Sequence, residues 1–314
     1  MTDAYDPRRF GRVAVLMGGT AAEREISLRS GAAVHAALVR SGVAAEAVDF
    51  RGRDDLLALV GNFERVFIVV HGRGGEDGCL QGALELLGLP YTGSGVLASA
   101  LGMDKARCKR LWQGCGLPTP AWMPLCEDTP FSAVNDALAG PPFMVKPARE
   151  GSSLGVSLVT DAASYRAALT AAFALDSLVF AEQYIRGLEY TAPVLHGRAL
   201  PLVRLEPKRA FYDYTAKYLS NDTVYHCPSG LSAEAEEAAQ ALALAAFHAL
   251  GCAVWGRIDC MRDERGQVWL IEANTVPGMT EHSLLPMAAR QAGIDFDALV
   301  LGILATTLAT EKRA

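Results

Sequence analysis

"WGRIDCMRDERGQVWLIEANTVPG", residues 255–278, holds two apolar runs interrupted at Arg257, Asp259, Glu272 and Asn274. Side chains alternate faces along an extended chain, so Arg257 and Asp259 share one face, as do Glu272 and Asn274. The intervening "RDERGQ", with Gly266, carries turn chemistry, and the two runs are expected to pair as an antiparallel hairpin. Three oxygen ligands then gather beside a guanidinium. Oxygen-only sets suit Mg²⁺ or Mn²⁺, hard ions that share their coordination with waters and nucleotide phosphates. A solvated sheet face with an ion pair is the commoner meaning of any single charged strand residue. Here it strains, because Glu272 and Asn274 lie between "VWLI" and the rigid turn "TVPGMT".

Upstream, "RVAVLMGGT" from residue 12 reads as a buried strand, a glycine turn and then a helix over "EISLRSGAAVHAALVRSG". "RVFIVVHG" repeats the pattern, leading through "RGGEDG" into the helix "CLQGALELLG". Strand, glycine turn and helix in repetition predict a parallel sheet with active groups at the strands' carboxyl ends, closing near residue 100. A second unit, 101–186, opens with a helix broken by Pro118 and Pro120, followed by the strand "FMVKPA", the loop "REGSSLGVSLV", a helix near 164–174 and the strand "LVFAEQYI". From 187 to 314, alternating strands lead to the polar-aromatic "FYDYTAKYLSND", a helix capped by Ser232, the hairpin and a final helical stretch over 284–310.

Composition narrows the function classes. A net charge of −6, with no basic block, argues against a nucleic-acid surface. Seven scattered cysteines, never spaced Cys-x-x-Cys, read as reduced thiols of a cytoplasmic protein. The start of the chain reaches a strand without a signal-peptide core, and the most apolar long run, "ALALAAFHALGCAVW", is too short to span a bilayer, so no membrane partner is expected.

Several side chains carry chemical possibilities beside bland ones. Glu23 sits at a helix start, where the dipole already favours a carboxylate. His71 ends an apolar run before four glycines, a turn that lets backbone amides approach a ligand, and this outweighs the alternative of a structural histidine. Lys146 precedes a hydroxyl-rich glycine loop with Ser152 and Ser153, fit for a lid over phosphates or for an ordinary surface loop. Glu182 and Glu189 can accept from an adenine amino group and ribose hydroxyls; solvated acids are the default.

Taken in order, "HGRGGEDG", "MDK", "VKPAREGSSLG", "FYDYTAKY", "WGRID" and "EANTVPGMTEHS" resemble bacterial D-alanine–D-alanine ligases of the ATP-grasp superfamily, over essentially the whole chain. The resemblance implies an α/β and α+β fold in three ATP-grasp domains, the first a parallel-sheet (pre-ATP-grasp) domain. It implies ATP-dependent joining of two D-alanines through a D-alanyl phosphate, for peptidoglycan precursors, by a homodimer. In that reading Asp259, Glu272 and Asn274 hold two Mg²⁺ or Mn²⁺ ions, and Lys105, Lys146 and Lys217 meet the ATP phosphates. Glu182 and Glu189 meet adenine and ribose. Arg257 and the amide of Gly278 stabilise the oxyanion. Glu23 pairs with the first substrate's ammonium near His71, while Ser283 and the amide of Leu284 receive the second carboxylate. Ser152 and Tyr218 link to Glu23, and Tyr218, where ester-forming relatives commonly carry phenylalanine, implies a peptide-bond former. Thr215 and Gln183 depart from the family's usual glutamate and lysine. Another ATP-grasp carboxylate–amine ligase would share the nucleotide and metal residues without needing Glu23, Tyr218 and Ser283 together. A non-catalytic ATP-binding module would not need the full metal set and Arg257.

Overall fold

The computed structural model describes residues 6–207 and 223–310, and these form three sheets. Thr215, Lys217 and Tyr218 lie outside the described residues. The first sheet, in order β2-β1-β3, is parallel: β1 (Arg12–Gly18), β2 (Ala44–Phe50) and β3 (Arg65–Ile68). The connection from β1 to β2 is α1 (Arg24–Arg40), and α2 (Arg53–Leu57) precedes β3. Strand β1 is central and buried on both faces, which is why "VAVL" reads as an unbroken apolar run. The run "RVFIVVH" predicts a strand reaching His71, but regular pairing stops at Ile68. The Val69 amide still bonds Leu16, and the chain then leaves the sheet fully buried toward Gly72. The helices α3 (Cys79–Leu86), α4 (Val96–Met103) and α5 (Lys105–Gly114) follow. Asp104 ends one helix and starts the next, its carboxylate accepting from the Arg107 amide at 2.9 Å.

The second sheet, β4-β7-β5-β6, is antiparallel: β4 (Trp122–Leu125), β5 (Phe143–Pro147), β6 (Ser157–Val159) and β7 (Val179–Gln183). Helix α6 (Phe131–Ala137) follows β4, and α7 (Ala162–Phe173), started by an Asp161–Ser164 capping box, packs on β5 and β6. Strand β6 corrects the reading of "REGSSLGVSLV" as a loop throughout, since its last three residues pair with β5.

The third sheet runs β11-β10-β8-β12-β13, with β9 (Arg198–Ala199) paired beside β8. Its other strands are β8 (Gly187–Leu195), β10 (Val203–Pro207), β11 (Thr223–His226), β12 (Trp255–Asp263) and β13 (Val268–Asn274). Helix α8 (Ala233–Ala249) covers it through Ala239, Ala243, Ala246 and Phe247, with Ser232 capping at 3.3 Å as expected. Gly266 supplies the positive φ of +87° in the β12–β13 turn. The last helices, α9 (Leu284–Gln291), α10 (Phe296–Ala305) and α11 (Thr307–Thr310), return to the first sheet. Leu285, Leu299, Ile303 and Leu304 share a core with Val13, Leu16, Val34 and Phe67. Arg40 on α1 pairs with Asp297 on α10 at 2.6 Å. The third sheet is thereby held against the first, and the space between them is the site. Among the described residues, no single helix is long and apolar enough to cross a membrane.

Candidate active site

In the hairpin, Arg257 lies opposite Asn274 and Asp259 opposite Glu272, so all four side chains share one face. Between Asp259 and Cys260 the register slips by one, leaving Ile271 of β13 as the extra residue, so β13 bulges just beyond this group. Asp259 is grasped from two sides. Arg257 donates to both its oxygens at 2.8 and 2.7 Å, and the Thr191 hydroxyl on β8 makes a short hydrogen bond to it. Glu272 meets the Lys105 ammonium at 3.2 Å, while Lys105 also donates to the Glu150 carbonyl at 2.6 Å. Asn274 Oδ1 is buried and accepts no hydrogen bond among the described residues. An orphaned amide oxygen beside two carboxylates costs desolvation unless something electropositive meets it, and a hard cation fits that requirement. No group of three or more His, Cys, Asp or Glu side chains among the described residues is placed to hold an ion. The two carboxylates and one amide suit an ion whose shell is completed by waters and phosphates.

This face opens into a cavity of about 610 Å³ that also reaches Glu23, His71, Glu76, Ser152, Gly278 and Ser283. Glu23 immediately precedes α1, at its N-terminal end, and accepts from the Ser152 hydroxyl at 3.3 Å. The loop after β5 thus touches the first unit, and Arg73 reinforces the contact through Glu150 at 2.8 Å. At Gly72, with φ +73°, a Cβ would fall 2.7 Å from the Glu23 carboxylate and 2.8 Å from the Ala21 Cβ, so glycine lets the two segments approach.

His71 and Glu76 hold the strap after β13. His71 Nδ1 lies 2.9 Å from the Val276 carbonyl, which assigns the proton to Nδ1, and Nε2 lies 3.4 Å from the Ser30 hydroxyl. Burial holds the His71 imidazole down at about 4, so it is neutral at pH 7. Glu76 accepts from the Gly72 amide at 2.6 Å and the Val276 amide at 3.2 Å. Burial, with Glu23 nearby, nevertheless pushes its carboxyl up to about 7. Both backbone groups of Val276 are therefore fixed from the "HGRGGEDG" loop, and Ser30 accepts from the Met279 amide at 3.1 Å. Gly278 lies between these anchors. Its side-chain position is closed, since a Cβ would meet Ser283 Oγ at 2.8 Å. Ser283 directly precedes α9, whose first residue is Leu284, and its hydroxyl accepts from the Thr280 amide at 2.9 Å.

A second cavity, of about 340 Å³, shares Lys105, Glu150, Glu189, Asp259 and Glu272 with the first. Met144, Ile185, Met261 and Ile271 give it apolar walls, and Lys146 and Glu182 its polar end. Such a slot suits a flat heteroaromatic ring with one hydrogen-bonding edge. Glu182 is 2% exposed and lies between Lys146, which it contacts closely, and Lys109 at 2.6 Å. Burial alone would push its carboxyl up; the two ammonium groups overcome that and hold it at about 2.

The structure gathers the expected residues along one continuous space, except Lys217 and Tyr218, which fall outside the described residues. Sequence reasoning passed over Lys109, Glu76, Arg73, Ser30 and Thr191. For Lys109 a signal existed: it lies one helical turn beyond Lys105, between Cys108 and Trp112 on the buried face of α5.

Comparison with known proteins points one way. A family model described as "D-ala D-ala ligase C-terminus" matches residues 111–305, and "D-ala D-ala ligase N-terminus" matches 49–94. The chain is 58% identical over 308 residues to a D-alanine–D-alanine ligase of Halorhodospira halophila, covering 98% of this chain and 100% of that one. Among solved structures it is similar to the D-alanine–D-alanine ligase of Bacillus anthracis, with TM-score 0.87, 36% identity, and 96% and 99% of the two chains covered. The same enzyme complexed with ATP gives TM-score 0.84 and 35% identity, covering 96% and 98%.

Proposed function

The chain belongs to the D-alanine–D-alanine ligase family, and from that premise we propose that it joins two D-alanines into D-alanyl-D-alanine, converting ATP to ADP and phosphate. The dipeptide serves peptidoglycan precursor synthesis, and the family resemblance supports a cytoplasmic homodimer. The observation that carries the reading is the hairpin face, with Asp259, Glu272 and the orphaned Asn274 oxygen turned toward the cavity beside Arg257.

Joining a carboxylate to an amine is uphill in water, so the carboxylate must first be activated. An oxygen of the first D-alanine's carboxylate attacks the γ-phosphorus, the bond to ADP breaks, and a D-alanyl phosphate forms. The second D-alanine's amine attacks the carbonyl carbon; the carbon–oxygen bond then breaks and phosphate leaves with that carboxylate oxygen. Asp259, Glu272 and Asn274 would hold two Mg²⁺ or Mn²⁺ ions, which neutralise phosphate charge when bound. Lys105 and Lys146 border the space for the phosphates, and Glu182 and Glu189 that for the base and ribose. Lys217 takes its phosphate role, and Tyr218 its place beside Ser152, from the family resemblance alone.

Glu23, at the head of α1, receives the first substrate's ammonium. The bidentate pairing with Asp259 fixes the Arg257 guanidinium plane, and the strap anchors fix the Gly278 amide; together these donors meet the oxyanion of the tetrahedral intermediate. Ser283 and the first amides of α9 receive the second carboxylate. His71, neutral and engaged with Val276 and Ser30, serves this reading by shaping the strap beside the first substrate. Ser152, bonded to Glu23, closes the loop and keeps water from the acyl phosphate.

Phosphate release measured separately with D-alanine, L-alanine and bicarbonate tests the assignment. D-alanine alone should stimulate release, with one dipeptide per phosphate. Stimulation by bicarbonate, or by L-alanine equally, would contradict it.

A further inference from the structure

Helix α5 carries two lysines one turn apart, and they reach different sheets. Lys105 meets Glu272 on β13, at the shared region of the two cavities. Lys109 meets Glu182 on β7 at 2.6 Å and donates to the Thr119 hydroxyl at 2.8 Å. Thr119 in turn donates to the Leu270 carbonyl on β13 at 2.8 Å. Lys109 is 0% exposed and lines neither cavity, whereas Lys146, on the other side of Glu182, lines the second. Two ammonium groups therefore face one carboxylate, and only one of them can be reached by a ligand.

Stability alone does not call for this arrangement. A buried ion pair seldom outperforms well-packed apolar residues of the same volume, because desolvating both ions offsets their attraction. What a second, inaccessible lysine does provide is persistence. With Lys146 alone, any ligand that drew that ammonium toward its phosphates would leave Glu182 unpaired and buried. With Lys109 behind it, the carboxylate stays ionised and oriented whichever way Lys146 turns.

We propose that Lys109 is a positioning residue for nucleotide recognition: anchored to Thr119, it fixes Oε2 of Glu182 so that Oε1, which Lys146 meets in this structure, is presented to the exocyclic amino group of adenine once Lys146 turns to the phosphates. The proposal rests on the assignment of Glu182 to the base. It gives base selection a physical origin, since a fixed carboxylate accepts from the 6-amino group of adenine and repels the 6-oxo group of guanine. Lys109 acts only through Glu182 and touches neither substrate nor nucleotide.

The test uses the full-length protein and reads nucleotide binding apart from catalysis. ADP and GDP affinities are measured by calorimetry, and KM for ATP and for D-alanine by phosphate release, in the parent and in Lys109→Met. Losing a charge-assisted anchor should weaken ADP binding and raise KM for ATP by about 10-fold, and lower the preference for ADP over GDP by a similar factor. KM for D-alanine and kcat at saturating ATP should change by less than about 3-fold. In a Glu182→Gln background the same substitution should add less than about 2-fold, because its route is already cut. If Lys109→Met does not fold, Thr119→Val carries the test. It keeps the charge but removes the second anchor, and should weaken ADP binding about 3-fold, with Thr119→Ser restoring it. Unchanged ADP affinity and base preference in a folded variant would overturn the proposal, as would an undiminished effect in the Glu182→Gln background. A protein that binds ADP with this dependence but does not ligate D-alanine would instead overturn the ligase assignment.

Discussion

Glu182 and Glu272 are both strand carboxylates paired with a lysine of α5, yet they sit in opposite environments. Glu182 is buried, 2% exposed at the end of the second cavity, and neutralised by two ammonium groups. Glu272 is a quarter exposed, paired with Lys105 at a looser 3.2 Å, and opens onto both cavities. A carboxylate whose charge is satisfied internally serves as a fixed fixture for recognition. One that borders both cavities is placed to take up a ligand's charge. The fold uses one helix to set both, and the contrast makes different demands on substitution.

The largest effect should fall on the open side. Glu272→Gln keeps size and removes charge, so the fold should persist while kcat falls by about 100-fold or more, a loss typical of removing one preorganised electrostatic partner. The apparent Mg²⁺ requirement should rise in parallel. Thermal unfolding and kcat across a Mg²⁺ titration check both, and near-normal turnover at saturating Mg²⁺ would erase the distinction between the two carboxylates.

On the buried side, displaced protonation should appear as stability. His71 is held at about 4 in the folded protein against an ordinary 6.5. Above pH 6.5 both states are neutral and the contribution is complete. Between 6.5 and 4 the unfolded chain binds a proton that the native one refuses, so stability falls on acidification, by about 3 kcal/mol in full. His71→Gln removes that proton. The stability gap between parent and variant, from urea unfolding at pH 7.5 and 4.5, should therefore narrow at the lower pH. A gap that stays constant would mean His71 is not sealed in solution.

The smallest effect belongs to an exposed pair. Arg73 is 46% exposed where it meets Glu150, and such pairs contribute about 0–1 kcal/mol. Arg73→Ala should raise KM for ATP by about 2-fold at low salt and by nothing measurable at 0.5 M salt. A large, salt-resistant effect would place Arg73 with the buried groups.

The sequence made the open side legible and hid the buried side. Polar residues on alternate positions of two apolar runs, joined by a glycine turn, are enough to gather Arg257, Asp259, Glu272 and Asn274. The pairing of Arg257 with Asn274 and Asp259 with Glu272 bears that out. The bulge at Ile271, opposite Asp259 and Cys260, leaves no such trace. Strand β2, "AAEAVDF", has no apolar run because none of its residues is fully buried, and the sequence shows no strand there. "RVFIVVH" overextended β3 because burial persists after pairing ends. Lys109 reads as a solvated helix residue until the fold brings Glu182 against it, since its partner lies far off in sequence. Family resemblance located Glu182 and Ser283, but not that the Ser283 hydroxyl is turned into its own Thr280 turn. The α/β and α+β ATP-grasp fold expected from that resemblance is the fold of the ligases the chain matches.

The central claim is that the open face activates a carboxylate by phosphorylation, and oxygen labelling tests it most directly. D-alanine carrying ¹⁸O in both carboxylate oxygens is turned over with ATP, and the released phosphate is examined by mass spectrometry. The account predicts one ¹⁸O in the phosphate for each dipeptide formed, because the oxygen that attacks the γ-phosphorus leaves with it. Unlabelled phosphate accompanying labelled dipeptide would contradict it.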